Sequence, residues 1–167
     1  MKIMHWISIS ILLLAGAAHG QTVAELKEKI IDLQNLGELG FKDFHLCNNI
    51  IGYGQFVPAE SSKVKAGSEL KFYYEPVNLY TNRRGGTYQV WYTQDMLLYD
   101  ESGELIYNGK ELLNFNYQTT SPVMDYFATN SLNLGNLPPG KYTFKAVVHD
   151  KMRNASAEQV FPFEIVP

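Results

Sequence analysis

Leu137-Pro138-Pro139-Gly140-Lys141-Tyr142 is a tight turn that runs straight into Thr143-Phe144-Lys145-Ala146-Val147-Val148-His149-Asp150. Tyr142, Phe144, Ala146 and Val148 alternate with Thr143, Lys145, Val147 and His149. A period of two marks a strand with one buried face. After a polar turn over Lys151 to Asn154, Phe161, Phe163 and Ile165 repeat the pattern. Two such strands in succession read as the closing hairpin of a two-layer β structure.

Upstream, the same logic gives further strands. Leu70, Phe72 and Tyr74 alternate with Lys71, Tyr73 and Glu75, and Tyr88, Val90 and Tyr92 alternate with Gln89, Trp91 and Thr93. Asn82 to Gly86 is a long turn, and Asp100-Glu101-Ser102-Gly103 a hairpin turn with glycine where positive φ is needed. Glu104–Asn108, Leu112–Tyr117 and an irregular stretch over Met124–Leu134 add pieces. Phe44 to Phe56 reads as an early strand, with Gly52 and Gly54 marking a bulge or a close backbone approach. Pro58 to Gly67 reads as a polar connection. The total is about seven or eight short strands with no crossover helices, which excludes a βαβ arrangement.

Residues 22–36 read as one amphipathic helix. Thr22 and Glu25 have capping-box spacing. Val23, Leu26, Ile30 and Leu33 fall on one face, expected to pack against the sandwich; their spacing also fits about two heptads of a pairing helix. Gly37 is the expected stop, in left-handed conformation.

Residues 1–20 read as a leader: Lys2, an apolar run from Ile7 to Leu14, then small residues. Ala18-His19-Gly20 suits cleavage between Gly20 and Gln21. The apolar run is short for a membrane span, and no cysteine follows it to carry a lipid. The expected organisation is a signal peptide over 1–20, a helix over 21–40 and a β-sandwich over 41–167, in a secreted or periplasmic protein with no later transmembrane segment.

The formal charge of the 167-residue chain is −3, with no basic stripe to hold nucleic acid. Its single cysteine, Cys47, has no internal disulfide partner and is expected as a buried thiol. His45-x-Cys47 falls short of a tetrahedral zinc set, so no metal and no cofactor are expected. His149 precedes Asp150 at a strand end and reads as hairpin-tip chemistry. The chain has no Gly-x-Ser-x-Gly elbow, and its acidic turn Asp100–Glu104 lacks calcium-loop spacing. The expectation is therefore a non-enzyme. Asn154-Ala155-Ser156 matches a glycosylation acceptor at a turn.

The segment Leu137–Tyr142 resembles the tyrosine corner of immunoglobulin-like and fibronectin type III-like sandwiches, with Tyr142 at the place of the tyrosine that bonds back to the preceding turn. The ending of the chain is also similar to accessory domains of exported bacterial proteins. The resemblance implies a mainly β, antiparallel immunoglobulin-like sandwich with one N-terminal helix. It departs from antibody domains in having no cysteine pair for Trp91 to pack against. The fold serves many unrelated uses, so function must come from surface residues.

Trp91, Tyr73 and Tyr80 are the candidate contact aromatics, joined by Tyr107 and Tyr117, with Arg83 and Arg84 as a second contact point. The functional expectation is a module that binds an envelope or extracellular protein. A polysaccharide held on Trp91, Tyr73 and Tyr80 is the alternative, and a small hydrolase the third reading.

Overall fold

The computed structural model describes residues 21–135 and 137–167; the leader reading up to Gly20 lies outside them. Among the described residues the chain is mainly β, with one helix and two sheets packed as a sandwich. The helix α1 spans Val23–Leu36. The four-stranded sheet holds β1 (Gly40–Gly52), β2 (Gln55–Pro58), β4 (Glu69–Val77) and β8 (Ala128–Asn133), in the order β2-β1-β4-β8. The six-stranded sheet holds β3 (Lys63–Lys65), β5 (Asn82–Arg84), β6 (Thr87–Tyr99), β7 (Leu105–Thr119), β9 (Gly140–Asp150) and β10 (Ala155–Val166). Its order is β3-β10-β9-β6-β5, with β7 also pairing β6.

The strand count exceeds the sequence expectation because β3 and β5 are short and polar and sit in stretches that read as connection and turn, and because Phe44–Phe56, read as one strand, divides between β1 and β2. β3 pairs β10 in parallel, Glu164 beside Lys63, whereas the pairings within the four-stranded sheet and around β6 and β9 are antiparallel. The register of β1 on β2 shifts between Ile50 and Gly52, and Gly52 then pairs with Gln55 across a hairpin tip where Gly54 takes φ of 63°. β7 is one strand rather than two pieces. Met96 pairs with Gly109 and Gln94 with Leu113, so Lys110, Glu111 and Leu112 bulge out opposite Asp95.

The inward alternation of β4, β6 and β9 builds the core. Phe72 and Phe144 stack across the layers, among Leu46, Leu70, Met96, Leu98, Phe163 and Ile165. A second cluster gathers Tyr74, Val90, Tyr92 and Val148. Gln94 is buried between them and trades hydrogen bonds with Asn130 at 2.9 and 3.1 Å while taking the Tyr74 hydroxyl, so its amide is satisfied inside the core. Tyr142 donates to the Pro138 carbonyl at 2.8 Å. Cys47 is buried, and desolvation pushes its thiol pKa up. Among the described residues no helix is long and apolar enough to cross a membrane.

Candidate interaction surfaces

Helix α1 begins as its sequence dictates. Glu25 N–H donates to Thr22 Oγ1 at 3.2 Å, and Thr22 N–H to Glu25 Oε2 at 2.8 Å. Its end differs from expectation. Gly37 is extended (φ −72°, ψ 155°), not left-handed. Its requirement is space, because a Cβ there would lie 2.6 Å from the Asn78 side chain.

The helix also presents the opposite face to the one expected. Val23, Leu26, Ile30, Leu33 and Leu36 are between 41% and 85% exposed, and Ile31 is the buried residue of α1. What holds α1 to the sandwich is mostly polar. Asn35 and Thr81 exchange two hydrogen bonds, Nδ2 to the Thr81 carbonyl at 3.0 Å and Thr81 N–H to Oδ1 at 2.8 Å. Gln34 donates to the Met124 carbonyl at 2.8 Å. Arg153 reaches the Gly37 carbonyl at 2.8 Å and that of Asn78 at 2.6 Å.

Arg83 belongs to this clamp rather than to an open contact patch. Its guanidinium pairs with Glu28 at 2.7 Å and also with Asp32. Glu28 accepts from the Tyr88 hydroxyl as well. The Tyr88 bond, then Arg83, hold the Glu28 carboxyl below its ordinary pKa. Arg84, its neighbour in β5, stays exposed.

The three candidate aromatics do not form one platform. Tyr73 points off the outer side of the four-stranded sheet, as its alternation implies, but is fully buried there under Phe56 (ring centroids 4.2 Å apart) and Phe127 (5.8 Å). Its hydroxyl donates to Glu75 at 2.6 Å and accepts from Gly54 N–H at 2.7 Å. Desolvation and the Glu75 bond push its pKa up to about 12. Trp91 lies in the other sheet, half-buried, with its indole N–H on Asn114 Oδ1 at 3.0 Å. Tyr80 is in the β4–β5 connection, its amide donating to Asp150 at 2.7 Å. Tyr107 and Tyr117 are exposed on β7.

Around Trp91 the outer face of the six-stranded sheet carries a polar belt. Gln89 donates to Asn116 at 2.9 Å and Gln118 to Thr87 at 2.9 Å. Thr93, fully buried, pairs in register with Asn114 on one side and His149 on the other, and its hydroxyl has no hydrogen-bond partner. Beyond it, His149 contacts Ser156 Oγ through Nδ1 at 2.8 Å and Asp95 through Nε2 at 2.9 Å. Burial raises the Asp95 pKa, but the Glu111 N–H, His149 and the nearby Lys110 charge outweigh it and hold the carboxyl below its usual range. An ionised Asp95 can only accept, so the ring donates its Nε2–H to the carboxylate. The β7 bulge walls this end into a depression of about 440 Å³ lined by Asp95, Lys110, Glu111, His149 and Lys151.

The Ser156–His149–Asp95 row escaped the sequence reading. Ser156 and His149 flank one hairpin and were within reach of a pairing argument; Asp95 joins them only through the β6–β9 register. The alternation Asn114, Asn116, Gln118 was a visible sign of a polar outer face.

No family model matches the chain, and no curated protein matches it. Among solved structures it is similar to an alkylpurine DNA glycosylase from Pseudomonas fluorescens bound to DNA containing an abasic site analog, at 8% identity and TM-score 0.45, over 86% of this chain and 35% of that one. A family 123 glycoside hydrolase from Clostridium perfringens gives 13% identity and TM-score 0.45, over 77% and 27%. A CARDB domain from Pyrococcus furiosus, solved with di-metal ions, gives 14% identity and TM-score 0.34, over 77% and 86%. The chain thus spans about a third of the two enzymes' length. At these scores nothing about this chain's chemistry follows from the likeness.

Proposed function

We propose that this chain is an exported, non-catalytic β-sandwich of immunoglobulin-like type that docks a protein partner of the envelope or extracellular space through α1. The observation that carries the reading is the helix's orientation: polar side chains bind it to the body while its apolar stripe stands in water. Burying a large aliphatic side chain contributes about 1.5–3 kcal/mol, so an open stripe of five leaves unused a large driving force for association. The positions 23, 26, 30 and 33 have the spacing with which a helix fills an apolar groove. The leader-like first twenty residues support export, and the Tyr142–Pro138 bond supports the immunoglobulin-like reading.

The non-catalytic part rests on the setting of Ser156, His149 and Asp95. They lie on the face of paired strands β6, β9 and β10. Nucleophilic catalysis of acyl transfer needs donors aimed at the developing oxyanion; strand N–H groups lie in the plane of the sheet rather than pointing out of its face, and the bulge amide of Glu111 is spent on Asp95. A photo-cross-linking residue placed at Leu33, in the cells that make the protein, should give one adduct of discrete mass. That adduct should be lost when Leu26 and Ile30 become serine while the melting temperature is kept. No adduct from any α1 position would overturn the proposal.

A further inference from the structure

We infer that the belt around Trp91 on the six-stranded sheet is a binding surface for a neutral saccharide chain. It uses different residues from the α1 stripe and does not depend on it.

A sugar ring offers an apolar C–H face and hydroxyls that both donate and accept. The belt offers the complementary set. Trp91 is an aromatic held in place by its Asn114 bond. Gln89, Asn114, Asn116 and Gln118 are amides, each carrying donors and an acceptor. Their mutual bonds (Gln89 to Asn116, Gln118 to Thr87) fix their planes before any ligand arrives, which lowers the ordering cost of binding. Beside them the Thr93 hydroxyl is fully buried and unpartnered, in register between Asn114 and His149. A buried hydroxyl without a bond is costly, and a ligand or water reaching in past Asn114 would satisfy it.

Charge selects the ligand's class. The ions beside the belt cancel, Asp95 and Glu111 against Lys110 and Lys151, with Lys151 on Glu111 at 2.6 Å. Little net charge remains to attract an anion or a cation, so an acidic polysaccharide or a basic peptide gains nothing here. Shape selects its size. From Gln89 to Asp95 the face runs about 20 Å along β6, ending at the β7 bulge. An open strip of that length suits a chain of sugars, whereas small-molecule sites are enclosed.

The test is affinity electrophoresis of the purified protein through gels containing, one at a time, barley β-glucan, galactomannan, arabinoxylan or dextran, with alginate and polygalacturonate as anionic counterparts. At least one neutral polymer should retard it. Trp91→Ala should weaken that retardation about tenfold or more, as loss of a central aromatic anchor does. The exposed pair Asn116→Ala/Gln118→Ala, which leaves the indole in place, should weaken it too; this variant decides the matter if Trp91→Ala fails to fold. Leu26→Ser/Leu33→Ser should migrate as wild type, so that failure of the α1 reading and failure of this one are separable. No retardation by any neutral polymer, retardation by the anionic ones alone, or retardation unchanged in the amide variant would overturn the inference and leave the amide pairs as cross-strand cover.

Discussion

Phe72 of β4 and Phe144 of β9 lie ring on ring across the two layers, with centroids 4.1 Å apart and planes 8° from parallel. Both are essentially solvent-free. With no disulfide among the described residues, these layers are held by side-chain packing. Phe144→Ala is expected to cost about 3–5 kcal/mol, the range for deleting a buried aromatic and leaving its cavity. Urea denaturation followed by circular dichroism measures it. A loss under about 1 kcal/mol would mean that the site collapses freely and that the pair is not the seam of the sandwich.

Ile31 and Leu33 test the orientation of α1. Ile31 is the helix residue buried against the body, and Leu33 stands 69% exposed. Ile31→Ala should cost about 2–5 kcal/mol, while Leu33→Ser should stay within about 0.5 kcal/mol. The same urea curves decide the point, and equal losses at both positions would return the apolar stripe to the core.

How far the sequence can be read follows from which rules act locally. The Thr22–Glu25 cap, the period-two runs of β4, β6, β9 and β10, and the Tyr142 turn are set by neighbours within a few residues, and each sits where its pattern places it. The face that α1 presents is set by distant partners instead: Thr81, Arg83, Met124 and Arg153 reach its polar side. Amphipathic spacing finds the stripe but not what covers it. Tyr73 shows the same limit. Alternation gave its direction, yet Phe56 and Phe127 fold over it from other elements. The row of Ser156, His149 and Asp95 depends on strand register, which no local pattern specifies.

Tyr142→Phe isolates the corner hydrogen bond. The ring stays stacked on Phe163, centroids 5.6 Å apart, while the bond to the Pro138 carbonyl is lost. A loss of about 0.5–1.5 kcal/mol is expected, the net worth of one hydrogen bond. Thermal melts of the two proteins give the value. An unchanged melting temperature would show that water replaces the carbonyl's partner at no cost and that the corner does not brace the β9 turn.

Asp95 makes stability depend on acid pH with a definite sign. Its folded-state pKa lies below the ordinary value of 3.8. The folded protein therefore binds that proton less readily than the unfolded chain does. The contribution is complete above the unfolded pKa and disappears as pH falls through the lowered folded value. Asp95→Asn should be less stable than wild type at about pH 6, with the gap narrowing toward about pH 2 as the pH falls toward the lowered folded value. Glu28 and Asp100 are lowered too, so wild type keeps an acid-side decline of its own and only the gap between the two proteins reports on Asp95. Urea midpoints at the two pH values measure that gap. One that persists undiminished in acid would assign the loss to disturbed packing around His149 and Glu111 instead of to the carboxylate's charge.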